Sequence, residues 1–147
     1  MSSFFRHKVN FVIKVIEAIG LKKISIVVPV YNEEENLREF HKRITEVMSK
    51  EPYDYSIVFV NDGSSDNSAV ILNELANEDK HVEAYLLSRN YGHQMAITCG
   101  LDNAEGDAIV TMDGDLQHPP EIVPQLLRLW EEGNEIVITK RMATEDA

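Results

Sequence analysis

The sequence has one cysteine, Cys99, in 147 residues. A lone thiol excludes an internal disulfide framework and a Cys-rich zinc site, and fits a reducing compartment. No apolar run approaches the ~20 residues that a transmembrane helix requires. Positive charge is also scarce. Against 25 Asp and Glu stand 14 Lys and Arg, a formal charge of −11, which argues against a nucleic-acid backbone as the main partner. What remains is a globular balance, 44% apolar and 27% charged, at a length that suits one domain.

The charge is unevenly placed. Residues 1–23 carry Arg6, Lys8, Lys14, Lys22 and Lys23 against Glu17 alone, a net +4, whereas residues 51–147 hold nineteen acids and only Lys80, Arg89, Arg128, Lys140 and Arg141. In the basic segment Phe5, Val9, Val12, Ile13, Ile16 and Ile19 recur near helical spacing, and Gly20 is a stop. Lys14 and Glu17 interrupt the apolar stretch, so it does not read as a signal peptide. Residues 1–22 are expected to form a basic amphipathic helix, either packed on the body or lying on an anionic membrane surface.

From residue 24 a short β-branched run, a polar turn and an amphipathic helix repeat. The strand candidates are Ile24–Val30, Ser56–Val60, Val82–Leu87, Ala108–Met112 and Glu135–Thr139. The helix candidates are Glu34–Ser49, Asp66–Asn77, His93–Asn103 and Pro120–Glu131. Ser65 or Asp66 suits a helix cap, and Pro119 and Pro120 suit a helix start. Strands alternating with helices of this length predict an α/β fold with a mostly parallel sheet flanked by helices, here over residues 23–147. The polar end after the fifth strand candidate, residues 142–147, leads us to expect a piece of a longer protein.

Open α/β sheets bind ligands beyond the carboxyl ends of their strands. Those ends are Tyr31-Asn32-Glu33-Glu34-Glu35, Asn61-Asp62-Gly63-Ser64-Ser65-Asp66, Ser88-Arg89-Asn90-Tyr91-Gly92-His93-Gln94, Asp113-Gly114-Asp115-Leu116-Gln117-His118 and Lys140-Arg141. Each is, alone, an ordinary turn or a solvated first helical turn; together they put acids and the few available cations on one edge. In an extended segment Asp113, Asp115 and Gln117 face the same way, and their oxygens suit Mg²⁺ or Mn²⁺. A diphosphate would be repelled here unless a cation bridged it, because two unit charges 4 Å apart interact by roughly 4 kcal/mol at an effective dielectric near 20. Arg89 and Arg141 are placed to hold distal phosphate oxygens, and Asp62 to accept from a base imide or a ribose hydroxyl. His93 and His118 read as surface or supporting residues, without a metal role.

The run Ile26-Val27-Val28-Pro29-Val30-Tyr31-Asn32-Glu33-Glu34, with Val60 to Asp66 and Asp113-Gly114-Asp115, resembles glycosyltransferase family 2, whose fold is the GT-A nucleotide-sugar-binding type. Leu87 to Gln94 and Asp115 to Glu121 resemble its polyprenyl-phosphate branch, the bactoprenol glucosyltransferases and dolichol-phosphate mannose synthases. The resemblance covers about residues 24–141. It implies inverting transfer of a hexose from a nucleotide-diphosphate donor, a UDP-sugar favoured, to a polyprenyl phosphate at the cytoplasmic face of a membrane. It also implies ribose and metal roles for Asp113 and Asp115, a metal role for Gln117 and base reading by Asp62. Pro29, Tyr31 and Glu33 would line the nucleotide pocket, and Arg141 would contact phosphate. Asn61 stands where an aspartate is common. The acceptor-binding half and membrane helices of that branch do not follow here, so the alternative is a nucleotide-sugar-binding module that is catalytically incomplete. A phospho-receiver module would need an acid pair after the first strand and a lone aspartate after the third, where Ser88-Arg89-Asn90 stands. A nucleotidyltransferase would show a Gly-rich basic loop after the first strand, and none is present.

Overall fold

The computed structural model describes residues 20–140. The expected N-terminal helix up to Ile19, and Arg141, lie outside the described residues. Four strands form one parallel sheet: β1 (Lys23–Val30), β2 (Asp54–Asn61), β3 (Val82–Leu86) and β4 (Ala108–Thr111), in the spatial order β3-β2-β1-β4. The order reverses at β1, whose neighbours are β2, paired over its whole length, and β4, paired only from Ile24 to Val27. The central strands β1 and β2 are apolar and buried on both sides, as helices on both faces of a parallel sheet require.

One face is covered by α1 (Leu37–Ser49), α2 (Ser68–Glu78) and α4 (Val123–Glu131), the last entered through a 3-10 turn at Pro120–Ile122. Leu37, Phe40, Ile44 and Met48 form the buried stripe of α1, at the spacing of one helical face. They meet Ile24, Ile26, Val28 and Val30 of β1, Ile57 and Phe59 of β2, and Val123 and Leu127 of α4 in one core. Phe40 and Phe59 pack edge to face at 6.0 Å, the arrangement their ring quadrupoles favour.

Among the described residues, the other face is covered by α3 (His93–Asn103). This helix has few large buried side chains and seats itself through Ala96 and Gly100. A Cβ at Gly100 would lie 2.3 Å from Val27 Cγ1, so the missing side chain is what allows α3 to approach β1.

Two expectations are corrected. Glu135–Thr139 is not a strand. A gap of about 510 Å³ separates it from β4, and Ile136 and Ile138 are 84% and 86% exposed. Its alternating pattern is that of a strand, yet no backbone hydrogen bonds tie it to the four-residue edge strand β4, and pattern without pairing makes no strand. The second correction concerns α1, which starts at Leu37 rather than Glu34. The N–H groups of Asn36 and Leu37 both bond to Glu33 O, closing a turn before the helix.

Candidate active site

Backbone pairing opens the site. Val27 O accepts Met112 N–H at 3.1 Å, the last bond of the β1–β4 ladder, whereas Val30 O accepts Asp62 N–H at 2.8 Å on the β2 side. Successive residues of a central parallel strand turn their backbone groups alternately to the two neighbouring strands, so Pro29, like Val27, turns its backbone toward β4. It has no N–H with which to continue that ladder. Beyond Val27 the two strands part, at the point where strand order reverses, and a hollow of about 380 Å³ forms there. Pro29, Tyr31, Glu33, Asp62, Asn90, Gly92, His93, Asp113 and Asp115 line it.

The loops after β1 and β2 are fastened to each other. Asn32, at φ 52°, accepts Ser65 N–H at 2.8 Å through Oδ1, and its own N–H donates to Ser64 Oγ at 3.0 Å. Glu33 N–H donates to Ser68 Oγ, Glu34 N–H to Asp66 Oδ2, and Asn67 N–H to Glu34 Oε2. Burial alone would push the Asp66 carboxyl up, but hydrogen bonds from Ser68 and from the Glu34 backbone outweigh it and hold the group below its ordinary value. Asn61 closes its own turn by accepting Ser64 N–H at 3.2 Å, a service an amide oxygen performs as well as a carboxylate.

Asp62 is only 3% exposed. Its Oδ1 accepts Tyr91 N–H at 2.8 Å and its Oδ2 accepts Gly92 N–H at 3.1 Å. The end of β2 thus clamps the loop that precedes α3, while Gly63 runs against the Arg89–Asn90 backbone of the same loop. Both oxygens of this buried side chain are thereby hydrogen-bonded, as buried polar atoms require.

The Asp113-Gly114-Asp115 segment is a turn rather than the extended stretch expected. Asp115 Oδ1 accepts Gln117 N–H at 3.0 Å, and Leu116 adopts φ 65°, so the chain bends between them. Asp113 and Asp115 reach the hollow, whereas the Gln117 side chain lines a neighbouring one of about 460 Å³ with His118, Pro119 and Lys140. Arg89 does not line the hollow. Its guanidinium lies 4.4 Å from the Tyr91 ring centroid, and hydrogen bonds from Ser88 and Arg89 hold the Tyr91 phenol below its usual value. The residue that sequence reasoning missed is His93, whose Nε2 lies 3.0 Å from Asp113 Oδ1. Its only signal was its place at the head of α3, after the third strand.

Among the described residues no group of three or more His, Cys, Asp or Glu side chains would hold a metal by itself. Mg²⁺ or Mn²⁺ delivered with a nucleotide binds through one or two carboxylates and completes its shell with phosphate and water; Asp113 and Asp115 are the carboxylates of the hollow that could serve one.

Residues 25–147 match the family model described as glycosyl transferase family 2. Over 128 residues the chain is 46% identical to undecaprenyl-phosphate 4-deoxy-4-formamido-L-arabinose transferase of Proteus mirabilis, covering 86% of this chain and 39% of that protein. It is 45% identical over 119 residues to bactoprenol glucosyl transferase of Shigella phage SfV, covering 81% and 39%. The chain thus spans about two fifths of these relatives' length. Among solved structures, glucosyl-3-phosphoglycerate synthase of Mycobacterium tuberculosis with uridine diphosphate aligns at TM-score 0.62 and 22% identity, over 81% of this chain and 43% of that one. A mannosyltransferase of Pyrobaculum calidifontis with GDP-Man and Mn²⁺ aligns at TM-score 0.60 and 21% identity, over 71% and 31%. The shared fold is the GT-A nucleotide-sugar-binding type.

Proposed function

The chain belongs to glycosyl transferase family 2, and from that premise we propose that it binds the donor for a metal-dependent, inverting transfer of a sugar from a nucleotide diphosphate, UDP favoured, to a polyprenyl phosphate. The observation that carries the reading is the convergence of Asp62, Asp113 and Asp115 on one hollow where the β1–β4 ladder stops. The names of the relatives support the acceptor class: two transfer to undecaprenyl phosphate or bactoprenol by name. Uridine diphosphate in a neighbour of the same fold supports the donor class.

Asp113 and Asp115 would hold the cation, with Gln117 reached from the neighbouring hollow. The cation, when bound, supplies Lewis-acid stabilisation of the diphosphate leaving group. The protein's own residues do the rest. Pro29, Tyr31 and Glu33 form the wall on which the nucleoside rests, and Asp62 both fixes the loop before α3 and presents its remaining lone pairs to the base. Arg89, on the loop before α3, and Arg141, which lies outside the described residues, are the cations proposed to answer the phosphate charge. An acceptor phosphate is already anionic at neutral pH, so it needs placing more than deprotonating. A second reading, donor binding without transfer by these 147 residues alone, is favoured by their share of the relatives' length.

The test is a thermal-shift panel of UDP-, GDP- and dTDP-sugars with and without Mn²⁺. A UDP-sugar should raise Tm only with Mn²⁺, and Asp115→Ala should abolish the rise. A rise that is indifferent to both metal and Asp115 would overturn the reading. Transfer to polyprenyl phosphate, assayed with the same donor, separates the two readings.

A further inference from the structure

We propose that His93 is the positioning residue for Asp113, and that buried Asp62 sets it there. This rests on the reading of the hollow as a metal and nucleotide-diphosphate site, and extends it to a side chain beside the carboxylates proposed to hold the cation. The geometry fixes His93 from two sides. From below, α3 is seated on β1 by Gly100, whose missing side chain lets the helix approach Val27. From in front, Asp62 takes the N–H groups of Tyr91 and Gly92, the two residues before His93. Gly92, at φ 100°, turns the chain there in a conformation that side chains rarely adopt. The imidazole is thereby delivered to Asp113, with Nε2 3.0 Å from Oδ1. The facing atoms are a ring nitrogen, able to donate, and a carboxylate oxygen, able to accept.

A flexible aspartate at the end of a short edge strand samples several rotamers, most of them useless to a cation shared with Asp115. A hydrogen bond to one oxygen restricts that freedom before the cation arrives. Such outer partners of ligating carboxylates commonly change metal affinity by 10- to 100-fold when removed. The arrangement also links three strand ends in one relay: β2 through Asp62, the loop after β3 through Tyr91 and Gly92, and β4 through Asp113.

The experiment measures Mn²⁺ binding in the presence of UDP, by the free-Mn²⁺ electron paramagnetic resonance signal, for the native chain, His93→Ala and His93→Gln. The Tm of the ligand-free chain accompanies it as a control for folding. Expected is at least about a tenfold weaker Mn²⁺ affinity in His93→Ala, with the ligand-free Tm unchanged. His93→Gln, which restores an N–H donor, should recover most of the loss. Native affinity in His93→Ala overturns the proposal. So does a His93→Gln variant as weak as alanine, because the hydrogen bond would then not be the cause. If the native chain itself takes up no Mn²⁺ with UDP, the reading of the hollow falls first and this inference with it, an outcome told apart by the native control.

Discussion

At the scale of single residues, Gly63 and Asp62 show how closely the loop after β3 is held. Gly63 has φ 67°, and a Cβ there would lie 2.2 Å from Asn90 N and 2.3 Å from Arg89 C. Both obstacles are backbone, so no rotamer change relieves them. Gly63→Ala should therefore cost more than the ~1–2 kcal/mol of the left-handed conformation alone. It should also weaken nucleotide binding, read as a lowered denaturation midpoint and a raised Kd for UDP. Asp62→Asn is a subtler change, because an amide offers one acceptor oxygen where the carboxylate offers two. One of the N–H groups of Tyr91 or Gly92 would lose its partner, at about 1–3 kcal/mol. An Asp62→Asn variant with native stability would show that this clamp does not hold the loop. The acids of the hollow were legible in the sequence because they follow strands, and strand ends converge in this fold class. The relay was not, since which backbone N–H groups Asp62 meets depends on where the loop after β3 returns across the sheet. His93 was hidden for the same reason: its partner Asp113 is 20 residues away in sequence.

At the scale of elements, α3 and the opposite end of the sheet make separate predictions. Gly100→Ala drives a methyl group into Val27 Cγ1, and overpacking of this kind costs roughly 1–3 kcal/mol. The paired variant Gly100→Ala with Val27→Ala makes room for the methyl, so the double-mutant cycle should show a favourable coupling of about 1 kcal/mol or more. Additive losses would mean that α3 is not seated there. Away from the hollow, Asp79 joins α1 to the start of β3: Oδ2 bonds His41 Nε2 at 2.8 Å and Oδ1 bonds His81 Nδ1 at 3.0 Å, while the His81 ring stacks on Tyr55. Burial works to raise the Asp79 carboxyl, but bonds from His81 and His41 prevail and hold it below its ordinary value of 3.8. A carboxyl depressed on folding adds stability above its unfolded value, and that stability is lost as pH falls through the lower, folded one. Asp79→Asn should therefore lower Tm near neutrality and shrink the gap to native at acid pH, in a Tm series run downward from pH 7. The elements themselves were legible where periodicity and pairing agree, as in the apolar runs of β1 and β2 and the stripe Leu37, Phe40, Ile44, Met48. Glu135–Thr139 misled because Ile136 and Ile138 carry the strand period while no neighbouring strand among the described residues pairs with them.

At the scale of the whole molecule, charge decides how the chain meets a surface. Residues 1–23 carry +4 within a chain of −11, which leaves −15 for the rest. A body of that sign is repelled by anionic lipid, and no helix among the described residues is long and apolar enough to cross a membrane. Attraction to such a surface must then come from the basic segment. Each Lys or Arg near an anionic surface contributes about 1 kcal/mol at physiological ionic strength. Deleting residues 1–22 removes Arg6, Lys8, Lys14 and Lys22 together with Glu17, a net loss of about 3 kcal/mol or roughly two decades in partitioning. Sedimentation with vesicles rich in phosphatidylserine should fall accordingly, while neutral vesicles retain little of either form. Raising salt should erase the difference, because the Debye length shrinks from about 8 Å at 0.15 M to about 3 Å at 1 M. A bound fraction that ignores the deletion assigns the segment to packing on the body instead.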